Sequence, residues 1–161
     1  MLQVNFFQNK MIKSAAFTGH RELGEDFKEI FLIKTIKECV KMGVCVFYCG
    51  MAKGFDLLAA ELVLKEKHFS PVKLIACVPY PTQAAAFGDE DRKRYETVLS
   101  QADEKVVLCD KYSPQCFQKR NEYMADRADI LISYCRKKQS GTGRTVAYFK
   151  KNKPDNPVFE L

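Results

Sequence analysis

Three stretches of the chain set glycine beside a cation, the pairing that suits a bound phosphate. They are Thr18-Gly19-His20-Arg21, the run from Gly50 through Lys53 and Gly54 to Asp56, and the run from Lys138 through Ser140, Gly141 and Thr142 to Arg144 and Thr145. Glycine lets the backbone come close to an anion, Ser140, Thr142 and Thr145 bring hydroxyl donors, and Arg21, Lys53 and Arg144 bring charge. Taken singly, each glycine reads as a turn former. Gly50 and Gly54 lack the spacing of a P-loop, and Gly141 and Gly143 lack the third glycine of the dinucleotide fingerprint. The stretches gain weight only if the fold gathers them on one edge.

Other side chains have two readings each. His20, at a strand end, can donate to a phosphate, move a proton, or close the turn. Asp56 suits a ribose hydroxyl or the first turn of its helix, where the dipole favours a carboxylate. Glu61, five residues on beside Ala59 and Ala60, lies near the site or faces solvent. Arg120 and Asn121 begin a helix after the fourth strand and can point back at the same edge, Arg120 toward a phosphate. Asp126 and Asp129 fall at the opposite end of the sheet as helix-end and turn residues.

The elements that must position these groups follow from periodicity. Short runs rich in β-branched, aromatic and Cys residues, at 14–18, 44–48, 73–78, 105–109, 130–134 and 157–160, alternate with amphipathic stretches at 26–42, 55–67, 89–101, 116–127 and 143–151. The first stretch places Phe27, Ile30, Phe31, Ile36, Cys39 and Val40 at helical spacing and ends at Gly43. Repeated strand–helix alternation with near-continuously apolar strands predicts a doubly wound, mainly parallel sheet covered by helices on both faces. In such sheets ligands bind beyond the carboxyl ends of the strands, where these loops fall. Residues 14–161 read as a single domain and residues 1–13 as an N-terminal extension without an assigned element.

With 161 residues, 47% of them hydrophobic, the chain has material for a core without disulfide or metal staples. Seven cysteines, most of them in apolar runs (Cys45, Cys49, Cys77, Cys109 and Cys135), read as buried reduced thiols; with no CxxC pair and only His20 and His68, no metal site is expected. No apolar run is long enough to span a bilayer and the first residues do not read as a secretory signal, so a cytoplasmic protein without a membrane partner is expected. A net charge of +6, gathered toward the C-terminal third, fits either an anionic partner or ordinary solvated helix faces.

Read together, the motifs resemble a known family. TGHR at the first strand turn, GMAKGFDLLAAE at the second, Pro79 to Pro81, the QKRNEYMADRADILISYC block and SGTGRTVAYFKK are similar, in order and spacing, to the YpsA-like branch of the SLOG superfamily, over about Ser14 to Val158. The superfamily also holds DprA and the LOG enzymes. The resemblance implies a Rossmann-like α/β three-layer sandwich that binds a nucleotide or nucleotide-derived ligand. It carries the ligand loops onto Thr18, Gly19, His20 and Arg21, onto Gly50, Gly54, Asp56 and Glu61, onto Arg120 and Asn121, and onto Gly141, Thr142 and Thr145.

The LOG enzymes cleave the N-glycosidic bond of a nucleoside monophosphate with an arginine and a glutamate. Arg120 stands for the arginine, but Thr145 occupies the glutamate position and brings no carboxylate. Ser140 stands where the family usually has glycine. Three functions are therefore expected in this order: a sensor or regulatory domain for a nucleotide, a nucleotide N-glycosidase drawing its carboxylate from Glu61 or Asp56, and a single-stranded DNA binder of DprA type. The expected partner is a nucleotide or dinucleotide, nucleic acid comes second, and a homo-oligomer stays open.

Overall fold

The computed structural model describes residues 11–161, so most of the expected N-terminal extension lies outside the described residues. The chain runs β1 (Ser14–Gly19), α1 (Glu29–Lys41), β2 (Val46–Cys49), α2 (Phe55–Glu66), β3 (Lys73–Val78), a short 3-10 turn (Gln83–Ala86), α3 (Asp89–Gln101), β4 (Glu104–Val107), α4 (Cys116–Arg127), β5 (Ile130–Tyr134), α5 (Gly141–Asn152) and β6 (Val158–Glu160). The six strands form one sheet in the order β4-β3-β2-β1-β5-β6, and every pairing is parallel. This is the expected Rossmann-like α/β architecture.

Strand alternation sorts the core into two layers. Ala15, Phe17, Phe47, Leu74 and Ile132 point to the face that packs Leu32, Ile36 and Cys39 of α1, Leu57 and Val63 of α2, and Tyr95 and Val98 of α3. Ala16, Ile75, Cys77 and Leu131 point to the other face, against Met124 and Ala125 of α4 and Val146 and Phe149 of α5. Each fully buried Leu, Ile or Phe contributes about 1.5–3 kcal/mol of hydrophobic stabilisation.

Some local expectations are corrected. The first helix begins at Glu29, because residues 24–27 close a turn, Phe27 N–H donating to Gly24 O at 3.0 Å. Phe27 packs edge-on against Phe55 and Tyr134, whereas Ile30 and Phe31 stand 50% and 55% exposed. β4 is a four-residue edge strand that ends before Cys109, and Cys45, expected in a buried strand, precedes β2 and is exposed. The last helix begins at Gly141, since Ser140 takes the cap position that sequence reading left to the loop.

Candidate ligand-binding site

Strand order reverses between β1 and β5, the chain winding outward to β4 on one side and to β6 on the other. Their carboxyl ends lie in register, Thr18 beside Ser133 and Gly19 beside Tyr134. Loops leaving two such strands diverge to opposite faces and open a crevice between them. A cleft of about 870 Å³ occupies this position. It is lined by Thr18, Gly19, His20, Arg21, Lys53, Asp56, Arg120, Asn121, Ser140, Gly141 and Thr142, so these expected residues, scattered over 125 positions, are brought together.

The floor is ionic and buried. Asp56, in the first turn of α2, is 5% exposed; one carboxylate oxygen accepts the Ala52 N–H at 3.3 Å and the other, Oδ1, has no hydrogen-bond partner. Burial pushes Asp56 up to about 6, while the positive fields of Arg120 and Arg21 and the Ala52 hydrogen bond hold it from rising further. Arg120, also 5% exposed, projects from α4; its Nη1 donates to Gly50 O and its Nε to Asn121 Oδ1 at 2.8 Å, which fixes the plane of the guanidinium. An unpartnered buried oxygen costs about 1–3 kcal/mol. Asp56 lines the cleft, and its Oδ1 is itself buried.

One wall is the start of α5. Ser140 caps the helix, its Oγ accepting from Gly143 N–H at 3.1 Å and donating to Lys137 O at 2.6 Å. Ser140 lines the cleft, but its hydroxyl is engaged by the fold in both bonds. Gly141 and Thr142 sit in the first helical turn, whose N–H groups have no intrahelical acceptor and attract anions. Lys137 and Arg136 stand beside them.

His20 faces this wall. Its Nε2 accepts the Arg136 backbone N–H at 2.7 Å, which requires the neutral ring with its proton on Nδ1. Burial lowers its pKa, and Lys137 and Arg136 lower it further. Behind it, the Tyr134 hydroxyl accepts Gly24 N–H and donates to Asp26 Oδ1, both at 3.0 Å, and Arg136 Nε donates to Asp26 Oδ2 at 2.5 Å. Hydrogen bonds from Arg136 and Tyr134 hold Asp26 below the usual carboxylate range. The opposite wall is aromatic: the Phe117 ring lies under the Arg21 guanidinium at 5.4 Å and that of Arg120 at 5.9 Å.

Four expected residues do not line the cleft. Gly50 lies beneath Arg120, where a Cβ would meet the guanidinium at 2.8 Å, so its role is to admit the arginine. Gly54, at φ +80°, packs against the Arg21 carbonyl, with no room for a Cβ. Thr145 bonds back to Gly141 O at 2.9 Å and faces a neighbouring groove of about 390 Å³ between α4 and α5. Glu61, on the outer side of α2, is clasped by Arg94 through contacts of 2.8 and 2.9 Å. Lining residues that sequence reading missed include Asp26, Phe117, Tyr134, Arg136 and Lys137. Arg136 and Lys137 lie two and three residues after the end of β5, and Phe117 precedes Arg120 by one helical turn; the strand-end rule reaches the first two, while the side-chain directions of Tyr134 and Asp26 carry no local signal. Among the described residues, no three His, Cys, Asp or Glu side chains are grouped to hold a metal ion, and no helix is long and apolar enough to cross a membrane.

A model of the YpsA family, described as the YspA SLOG family, matches residues 16–157. The chain belongs to this family. It is 33% identical over 145 residues to the uncharacterized SPbeta prophage-derived protein YoqJ of Bacillus subtilis strain 168, covering 81% of this chain and 84% of that protein. It is 28% identical over 103 residues to a UPF0398 protein of Bacillus thuringiensis strain Al Hakam, 62% of this chain and 56% of that relative. Among solved structures, DNA processing protein A (DprA) of Streptococcus pneumoniae shares the fold with a TM-score of 0.65 at 19% identity, over 92% of this chain and 50% of that one. DprA of Helicobacter pylori, described for its single-stranded DNA binding mode, gives a TM-score of 0.67 at 20% identity, over 94% and 66%. The YspA SLOG chain therefore spans about half to two thirds of the UPF0398 and DprA proteins it matches.

Proposed function

We propose that the cleft binds a nucleotide or nucleotide-derived ligand and that the protein acts as a sensor or regulatory domain. One observation carries the reading: at the switch point of the sheet, the first turn of α5, with Lys137 and Arg136 beside it, lines the same cleft as Asp56, a buried carboxylate whose Oδ1 lacks a partner. A phosphate fits the first turn of α5, a sugar hydroxyl or base amine fits Asp56, and Phe117 offers a ring to a base. The N-glycosidase route of the LOG enzymes would draw its carboxylate from Asp56, the buried acid near Arg120 in the cleft, because Thr145 brings none and Glu61 is clasped by Arg94 away from it. The free cysteines fit a reducing compartment, hence the cytoplasm.

The test is thermal unfolding with AMP, ADP, NAD, ADP-ribose and inorganic phosphate, each with product analysis for released base. A ligand at 100 times its Kd adds about 2.7 kcal/mol, roughly 5–10 °C in a chain of this size. The reading fails if no compound raises the melting temperature at millimolar concentration. Release of free base reassigns the cleft to hydrolysis.

A second reading is favoured by the DprA likeness together with the cationic rim of Arg21, Lys53, Arg136 and Lys137 beside Phe117. Single-stranded DNA would track this rim and stack on the ring. Binding of an oligothymidylate that weakens steeply with salt, with no response to mononucleotides, would select it.

A further inference from the structure

The groove of about 390 Å³ between α4 and α5 shares Phe117, Asn121 and Gly141 with the cleft, so the two cavities meet at the first turn of α5. Nothing in the fold requires a glycine at this junction. Gly141 is not at positive φ, and a Cβ built on it would meet no atom within 4 Å. Alanine forms helix better than glycine, so what the missing side chain gives the molecule is open space where the cavities join. Asn121 stands at the same junction with a donor to spare. Arginine Nε can only donate, so the Asn121 atom that meets Arg120 Nε at 2.8 Å is its oxygen. The NH2 group lies on the other branch of the amide and bonds to no group among the described residues.

The groove adds a cation and a carboxylate. Arg144, one turn beyond Gly141 on α5, lines the groove and not the cleft; it is exposed and has no carboxylate partner among the described residues. The helix dipole disfavours a cation this close to a helix start, so α5 gains nothing from its charge. On α4, Glu122 Oε1 accepts Gln118 Nε2 at 2.8 Å, and its Oε2 accepts from no group among the described residues. The Thr145 hydroxyl does not compete for either, being turned back to Gly141 O. A guanidinium takes a phosphate and a carboxylate takes hydroxyl donors, so the groove suits an anion followed by a sugar.

We infer that the groove is a second subsite of the cleft and that the ligand is a nucleoside diphosphate carrying a second sugar. The nucleoside and its first phosphate occupy the cleft up to the first turn of α5. The diphosphate crosses the open space at Gly141, where the Asn121 NH2 donates to it, and its second phosphate pairs with Arg144. Hydroxyls of the second sugar donate to Glu122 Oε2. This inference rests on the reading of the cleft as a nucleotide site and narrows its ligand, because a mononucleotide held in the cleft reaches neither Arg144 nor Glu122.

The full chain is titrated with AMP, ADP and ADP-ribose by isothermal calorimetry, beside Arg144→Gln, Arg144→Lys and Glu122→Gln, with circular dichroism confirming that each variant is folded. In the parent, affinity is expected to rise by about tenfold or more from AMP to ADP-ribose. Arg144→Gln is expected to remove that gain while leaving AMP within about twofold of the parent, and Arg144→Lys to keep most of it, since the charge is retained. Glu122→Gln is expected to lose only the step from ADP to ADP-ribose. The second subsite is overturned, with the cleft reading intact, if AMP binds as tightly as ADP-ribose or if Arg144→Gln weakens both by the same factor. Absence of binding by all three compounds overturns the cleft reading and the subsite with it.

Discussion

Replacing Asp56 by Asn converts the buried carboxylate of the cleft floor into a neutral group of the same shape. The amide oxygen still accepts the Ala52 N–H, and the NH2 group takes the place of the unpartnered Oδ1. In the folded chain Asp56 sits at about 6 against an ordinary 3.8. At about 1.4 kcal/mol per pH unit, ionising it in place costs about 3 kcal/mol more than in the unfolded chain. The attraction of Arg120 is already contained in that value.

The sign follows from the raised pKa. Between 3.8 and about 6 the folded state holds the proton that the unfolded state has lost, so stability from this group falls as pH rises and levels off above 6. Asp56→Asn is therefore expected to match the parent near pH 4 and exceed it by about 3 kcal/mol at pH 8, a melting gap of roughly 6–12 °C. His20, and Asp26 and Asp103, whose carboxylates are held below their ordinary value by hydrogen bonds from Arg136 and Lys67, are common to both proteins and drop out of the difference as long as they act independently of Asp56. Differential scanning calorimetry at half-unit steps from pH 4 to 8 measures the gap. A constant gap, or a variant less stable than the parent at pH 8, would refute the burial argument. The same variant is expected to lose at least tenfold in nucleotide affinity, since the acceptor at the floor becomes a donor.

Ser140→Ala removes the cap of α5 and is expected to lower stability by about 1 kcal/mol, read as a shift of the urea midpoint with unchanged slope; an unshifted midpoint would mean that water replaces the hydroxyl. Glu61→Gln breaks the clasp with Arg94, whose side chains are about one-third exposed, and is expected to change stability by less than about 1 kcal/mol while leaving any nucleotide-induced thermal shift intact. Loss of that shift would place Glu61 in the site after all.

The alternation of apolar strands with amphipathic helices is a local property, and it was enough to predict the doubly wound sheet and to place the Gly-rich loops at strand ends. TGHR, GMAKGFD and SGTGR were legible for the same reason: glycine next to a cation at a strand end states its chemistry in adjacent residues. What only the tertiary structure decided is which of these groups face the cleft. Gly50 and Gly54 sit in ligand-like motifs yet serve to admit Arg120 and the Arg21 carbonyl, because close approach between segments far apart in sequence has no local signature. Glu61 turns away because five residues carry it about 140° around α2 from Asp56, and Arg94 of α3 clasps it there. The Asp26–Tyr134–Arg136 network arises in the same way, from side chains whose meeting depends on where β5 is set against the rest of the sheet.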